Sequence, residues 1–408
     1  MIIQTGIDDL NLYASTLAVD FADIVAARRI SPGLLEDIGF ARRSVLPTFE
    51  DPVTLAVNAT KPIVDAAEGE SFGLLIIATE TGLDYGKPLS SYVHRHLDLG
   101  PFCRNFEVKH ACYGGTAAVQ MAAAWVRSGV APGKRALVVM TDIGRRHFHE
   151  SAELSVGAGA IALSIAAEPR LFALETDTGY ASREVYDTAR PTSTGEWIDS
   201  TLSLGSYLDL LEVAWEAYRA AAAPAPFERH FTYMIYHTPL LSLVRQAHKI
   251  LLEGDGDILG REEVADSFER MVMPSFGYNR EIGNTYSASL YAALAAIVSG
   301  ASSSDPQTRV GCFSYGSGAC AEIFSGLVQG GASAALAQRR IGEHLTARRK
   351  VSIQEYEQAV TGVERSLSVE AFEPDWQAPA GHYEQAYRGK NLLVLQGVKN
   401  HYRSYTWS

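Results

Sequence analysis

Short apolar runs recur along the chain, each ending in a turn rich in Gly, Ser or Thr. Residues 73–79 (GLLIIAT), 135–141 (RALVVMT) and 158–165 (AGAIALSI) read as buried strands, and 105–109 is a further β-like run. Residues 115–128 (GTAAVQMAAAWVRS), rich in Ala with few breakers, predict a helix. The second half has the same style. Residues 231–236 (FTYMIY) and 308–313 (TRVGCF) predict strands, and 285–298 (TYSASLYAALAAIV) predicts a helix. The Gly/Ser turn at 314–318 (SYGSG) is expected to lead into a helix near 319–328. Strands alternating with helices predict an α/β fold, in which two similar halves meet at a central site. Residues 220–226 (AAAAPAP) read as a loop or short linker, and 299–307 as an exposed loop. From about residue 332 the pattern is helical and charged. It closes on HYRSYTWS, a tail to which the pattern assigns no role.

The 408 residues are 47% hydrophobic, ample for a large core and enough for two or three domain-sized units. A net charge of −12 argues against nucleic acid or an anionic membrane as the main partner. Four cysteines, Cys103, Cys112, Cys312 and Cys320, show no CxxC spacing and read as reduced thiols. The opening residues lack a basic start followed by an apolar run, and no stretch approaches the roughly 20 apolar residues of a spanning helix. These features place the chain in the cytoplasm.

Cys112, in KHACYGGTAA, lies between a β-like run and the Ala-rich helix. A sulfur at a helix N-terminus meets the positive end of the dipole and free N–H groups, which favour thiolate. The alternative is a buried, inert cysteine. Glu80 follows an apolar strand in LLIIATETG, where α/β crevices bind ligands; partial burial would raise its pKa and suit it to acid/base work, and a capping or solvated glutamate is the other reading. His237, in YMIYHTP, also ends an apolar run, as a proton-handling imidazole or a satisfied strand-end histidine. Asn284, in IGNTYSASLY, is equally a good helix cap. Ser314 and Ser317 flank a turn whose N–H groups can form an oxyanion site.

Other clusters carry less chemistry. Histidines two apart occur at 145–150 (RRHFHE) and 92–96 (YVHRH), with neither HExxH nor matched cysteines, so no metal is expected. There is no Walker A loop, and no GxGxxG follows a strand. The basic pairs Arg28–Arg29, Arg42–Arg43 and Arg339–Arg340 read mostly as solvated faces, one of which could dock an acidic carrier.

Taken in order, EDPVTLAVNATKP, ATETGLDYGK, ACYGGTAA, SYLDLLE, YHTP, GYNREIGNTYSASLY and FSYGSG resemble the 3-hydroxy-3-methylglutaryl-CoA synthase family of the thiolase superfamily, through nearly the whole chain. The resemblance implies a five-layer αβαβα thiolase-like fold built from two similar halves, residues 1–167 and 168–408, in a homodimer. It implies Cys112 as the acylated nucleophile, Glu80 as acid/base and His237 as the residue handling the acceptor oxygen. Asn284, Ser317, Tyr207 and Tyr286 match positions that line the acceptor site. No cofactor is implied beyond the thioester that arrives with the substrate.

Mevalonate-pathway members usually carry lysines shortly after this histidine, suited to CoA phosphates; here the run is HTPLLSLVRQAHK, with Ser242 at one such place, while Arg245, His248 and Lys249 remain basic. This run, KHACYGGTAA and ARRSVLPTFEDPVTLAVN look like the polyketide branch. That branch implies donor and acceptor acyl carrier proteins as partners, and β-branch formation. The alternative is acetyl-CoA and acetoacetyl-CoA chemistry for isoprenoid supply.

Overall fold

A computed structural model describes residues 3–67, 72–145, 147–192, 195–254, 260–301 and 308–408. Nine strands form its largest sheet. They are β1 (Thr5–Tyr13), β2 (Phe72–Ala78), β3 (Arg104–Val108), β4 (Arg135–Ile143), β5 (Ala158–Ala167), β6 (Phe172–Ser182), β7 (Tyr233–Tyr236), β8 (Arg309–Gly316) and β9 (Cys320–Val328). Their spatial order is β7-β8-β9-β6-β1-β5-β4-β2-β3. Within this sheet β1 pairs with β6 at Thr5↔Leu174, Gly6↔Ala173 and Ile7↔Phe172.

The layers follow from strand period. Successive side chains of a strand point to opposite faces, so a continuous apolar run must be covered on both. In β2 and β4, Leu74, Ile76, Val138 and Met140 face a central core, whereas Leu75, Ile77, Leu137 and Val139 face the outer helix α1 (Pro52–Ala66). The central core is filled by α2 (Gly114–Arg127) and a second buried helix, Ser289–Gly300. The latter is apolar around its circumference because it is enclosed between the sheet halves. Across it lie Ile235, Val310, Cys312 and Phe324 of β7–β9. The other face of those strands, with Met234, Tyr236, Phe313 and Ile323, is covered by α3 (Ser200–Ala222) and α4 (Leu241–Glu253). With Ser289–Gly300 as α5, the result is a five-layer α/β/α/β/α arrangement.

The expected strands at 73–79, 105–109, 135–141, 158–165, 231–236 and 308–313 are present, as are the helices at 115–128 and 285–298 apart from a first turn of 3₁₀ type at Tyr286–Ala288. The helix expected near 319–328 is instead strand β9. The turn after β8 closes a hairpin, and β9 pairs antiparallel with both β8 and β6. Its Ile323, Phe324 and Val328 suit a strand, and β6 supplies the hydrogen bonds from about 150 residues away in sequence. The 220–226 linker shrinks to a few residues, because α3 runs to Ala222 and stops at Ala223 in the left-handed region (φ 42°) before Pro224 and Pro226. Much of the 299–307 loop lies outside the described residues.

The tail acquires a role. Arg403 and Tyr405 both reach Asp51 Oδ2, at 2.9 and 2.8 Å, and Asp51 caps α1 by accepting from the Thr54 N–H at 3.0 Å. The basic pairs also differ from expectation. Arg43 is buried against the Tyr356 hydroxyl, Arg28 pairs with Glu153 and Glu357, and Arg339 pairs with Asp9, so one member of each pair is structural. Local sequence cannot place these carboxylate and phenol partners, which come from distant segments.

Candidate active site

The site forms where β2, β3, β7 and β8 end. Beyond Val108 the chain makes a tight turn with Ala111 at φ 39°; the N–H groups of Tyr113 and Gly114 both donate to His110 O, at 3.0 and 3.1 Å. That turn presents Cys112 at the head of α2. It fits only because Gly316, at the end of β8, has no side chain. A Cβ there would lie 2.4 Å from Tyr113 N and 2.8 Å from His110 O.

The Cys112 thiol donates to Glu80 Oε1 at 3.2 Å. Glu80 follows β2, and Asp142, near the end of the neighbouring β4, fixes its turn. Asp142 Oδ1 accepts from the N–H groups of Glu80 and Thr81, at 2.9 and 3.1 Å, and from the hydroxyls of Thr79 and Thr81, both at 2.9 Å. Parallel pairing of β2 with β4 brings the two strand ends together. Burial pushes the Glu80 carboxyl up and Arg190 opposes it, while Asp142 and Glu196 add to the rise, leaving it at about 7. Burial, then the neighbouring Glu80 charge, pushes the Cys112 thiol well above its ordinary value. The expected thiolate is therefore not the resting form. The turn carbonyl of His110 has taken two N–H groups, and a carboxylate faces the sulfur. Cys112 rests as a thiol with Glu80 placed to take its proton.

Arg190 donates from Nη1 to Glu80 O at 3.2 Å, and its Nη2 lies 3.6 Å from Glu80 Oε2. Arg190 also pairs with Glu196, whose other oxygen meets His147 Nε2 at 2.9 Å. Burial raises the Glu196 carboxyl, but the His147 hydrogen bond and the Arg190 charge outweigh it and hold the group at about 2. His147, considered above as part of an HxH pattern, is thus bound between Glu196 and Glu150. Among the described residues no group of three or more His, Cys, Asp or Glu is gathered to hold a metal ion.

His237 follows β7 and is buried. Its N–H donates to Phe313 O at 2.8 Å, its carbonyl accepts from the Tyr207 hydroxyl at 2.8 Å, and Nδ1 meets Ser289 Oγ at 2.9 Å. Burial drives its pKa down to about 3, so the ring is neutral near pH 7. Asn284 Oδ1 accepts from the Tyr286 N–H at 2.9 Å, which closes a local turn; the residues at the N-cap positions that follow are Thr285 and Ala288, so Asn284 is not the helix cap. Its backbone is held by Gly157, where a Cβ would come within 2.1 Å of Ile282 O. The Tyr286 hydroxyl is buried without a hydrogen-bond partner. Ser317 Oγ lies 3.4 Å from Ser203 Oγ, and the neighbouring Gly318 N–H donates to Asp187 at 3.0 Å.

All seven expected site residues, Glu80, Cys112, His237, Asn284, Ser317, Tyr207 and Tyr286, line one cavity of about 220 Å³. Ser314 belongs to β8 and is not among its lining residues. Sequence reasoning missed Asp142, Arg190, Glu196 and Ser289. Asp142 was open to the rule that selected Glu80, a carboxylate at the end of an apolar run. Arg190 and Glu196 lie in a stretch without periodicity, and no pattern marks them.

Residues 3–169 match the model for the hydroxymethylglutaryl-coenzyme A synthase N terminal region, and residues 261–406 match that for its C terminal region. The chain belongs to the hydroxymethylglutaryl-coenzyme A synthase family. Within it, the polyketide biosynthesis 3-hydroxy-3-methylglutaryl-ACP synthase PksG of Bacillus subtilis (strain 168) is 34% identical, over 99% of this chain and 99% of that protein. The hydroxymethylglutaryl-CoA synthase of Enterococcus faecalis is 31% identical over 86% of this chain and 90% of its own length. The crystal structure of the curacin biosynthetic pathway HMG synthase in complex with acetyl donor-ACP matches with a TM-score of 0.94 at 34% identity, covering 99% of this chain and all of that one. This fold is the family's thiolase fold.

One of the family-derived expectations about cations changes. His248 is fully buried between the Tyr236 hydroxyl at 3.0 Å and Ser267 Oγ at 3.0 Å, so it offers no charge to a substrate phosphate. Arg245 and Lys249 are exposed, and Ser242 shares an open groove with Arg245 and Arg280.

Proposed function

We propose that this family member is a 3-hydroxy-3-methylglutaryl synthase-type condensing enzyme that works on acyl carrier proteins and builds a β-carboxymethyl branch in polyketide biosynthesis. The observation that carries the chemistry is the Cys112–Glu80 contact facing a neutral His237 in one cavity. The carrier-protein assignment is supported by whole-length similarity to PksG and by the likeness to a synthase crystallised with acetyl donor-ACP.

Glu80 accepts the Cys112 proton, and the sulfur attacks the acetyl thioester. A new C–S bond forms, the bond to the donor breaks, and the donor thiol leaves with a proton. Glu80 then takes a proton from the acetyl methyl group. The enolate carbon bonds to the β-keto carbon of the acceptor, and the resulting alkoxide is protonated, with His237 orienting the oxygen or supplying the proton. Asn284, Ser317, Tyr207 and Tyr286 hold the acceptor thioester. Water adds to the carbonyl on Cys112, the C–S bond breaks, a carboxylate departs and the thiol is restored. A carboxyl poised near 7 serves as base in one step and acid in the next.

The chain divides into halves at 167/168, acts as a homodimer in the cytoplasm with a donor and an acceptor carrier, and uses no metal or resident cofactor. A second reading, acetyl-CoA with acetoacetyl-CoA, is favoured by the Enterococcus relative. Intact-mass spectrometry separates the two. Acetylation of Cys112 from acetyl-carrier protein, followed by a branched carboxylate on the acceptor carrier, is expected. Equal acetylation from acetyl-CoA with efficient turnover of free acetoacetyl-CoA defeats the carrier reading.

A further inference from the structure

The backbone of His237 is held at both ends, by Phe313 O and by the Tyr207 hydroxyl. Its ring has one hydrogen-bond partner among the described residues, Ser289 Oγ at 2.9 Å from Nδ1. Nε2 has none, yet it is not among the sealed, orphaned polar atoms of the chain, so it opens on the cavity that His237 lines. Which nitrogen carries the proton decides what the ring can do there. An Nε2–H donates to a substrate oxygen, whereas a bare Nε2 repels one. Ser289 settles the choice. It is the first residue of α5, it is fully buried, and its carbonyl accepts from Asn279 Nδ2 at 2.9 Å. Its hydroxyl meets no partner other than Nδ1 among the described residues. If Nδ1–H donated to Oγ, the hydroxyl proton would be buried with no acceptor, which is costly. If the hydroxyl donates to Nδ1, both groups are satisfied and the ring proton sits on Nε2. Burial takes the ring's pKa down to about 3, so near neutral pH it carries a single proton and the two forms are exclusive.

We propose that Ser289 is a positioning residue whose hydroxyl donates to His237 Nδ1 and fixes the ring as its Nε2–H form, which gives a hydrogen bond to the β-keto oxygen of the acceptor. The inference rests on the synthase reading and decides between the two parts left open there for His237. The ring polarises the oxygen and keeps its proton, because a neutral ring that gave it up would become an imidazolate. The alkoxide's proton is then the one Glu80 removed from the acetyl methyl group, which balances the step.

The test has a spectroscopic arm and a kinetic arm. Full-length enzyme, isotopically labelled at its histidine ring nitrogens, is measured by NMR near neutral pH, and the His237 signals are assigned by their loss in His237→Gln. Wild type should show Nδ1 in the range of a non-protonated nitrogen that accepts a hydrogen bond, and Nε2 in the protonated range. In the kinetic arm, Ser289→Ala should be acetylated on Cys112 within about twofold of the wild-type rate and keep the KM for an acetoacetyl-carrier protein within about threefold. Condensation should slow at least about tenfold, because a bond to the keto oxygen strengthens as charge develops there. A merely structural role for Ser289 would spread the loss over both half-reactions. Condensation by Ser289→Ala at the wild-type rate, or an equal loss in acetylation, overturns the inference. Should Ser289→Ala fail to give a folded circular dichroism spectrum, the wild-type NMR signals decide. A protonated Nδ1 in a wild type that condenses overturns the inference and leaves the synthase reading intact. Absence of condensation by wild type overturns both.

Discussion

Replacing Arg190 with Gln should move the pH at which the enzyme becomes active. Gln keeps an N–H for Glu80 O but removes the positive charge 3.6 Å from Glu80 Oε2. At that separation a unit charge pair is worth about 4–5 kcal/mol at an effective dielectric constant of about 20. Glu196 already shares the guanidinium. About half of that value, ~2 kcal/mol or about 1.5 pKa units, is then the expected loss at Glu80. The base must be ionised to act, so activity rises with pH through the Glu80 pKa. Removing a cation disfavours the carboxylate, raises that pKa and shifts the rising limb to alkaline pH. From about 7 in the native protein, the limb should move to about 8.5. Near neutral pH the ionised fraction then falls from about one half to about 3%, a loss of roughly 15-fold in condensation rate that is recovered as pH is raised. The assay is single-turnover condensation of preformed acetyl-enzyme with the acceptor, quenched and weighed as intact protein from about pH 6 to about pH 9. A rate loss that is uniform across pH, with the limb unmoved, refutes the electrostatic role given to Arg190.

Cys112→Ser should give no acyl adduct with any donor by intact mass. Glu80→Gln should still acylate Cys112, more slowly because the thiol loses its proton acceptor, and should form no carbon–carbon bond; normal condensation by this variant would dismiss Glu80 as the base. His237→Ala should leave acetylation in place and slow condensation by about 10²-fold or more. Because burial holds the native ring neutral, the wild-type profile should show no second limb near the ordinary histidine pKa of about 6.5. Gly316→Ala should displace the Cys112 turn, since the added methyl meets backbone at 2.4 Å. A stability loss of about 1–3 kcal/mol in denaturant titrations, with slowed acetylation, is expected.

The chain's own pattern determined a good deal. Continuous apolar runs such as GLLIIAT require cover on both faces, and the all-round apolar 285–298 segment belongs inside, so a layered α/β architecture follows from period and hydrophobicity. Strand ends mark where polar side chains enter a crevice, which is why Glu80, Cys112 and His237 were legible, and their ordered motifs carried Asn284, Ser317, Tyr207 and Tyr286. Three things were decided only by tertiary structure. The segment 320–328 is a strand because β6, distant in sequence, offers its hydrogen bonds. Arg190 reaches Glu80 from a stretch without periodicity, so only folding brings its charge to the carboxylate. The ionisation states depend on burial and on neighbours from other segments. Thus Cys112, which a helix N-terminus alone would make a thiolate, rests as a thiol beside Glu80. Local propensity acts along the chain, whereas desolvation and Coulomb energy act through space, and the second kind of term sets the chemistry of this site.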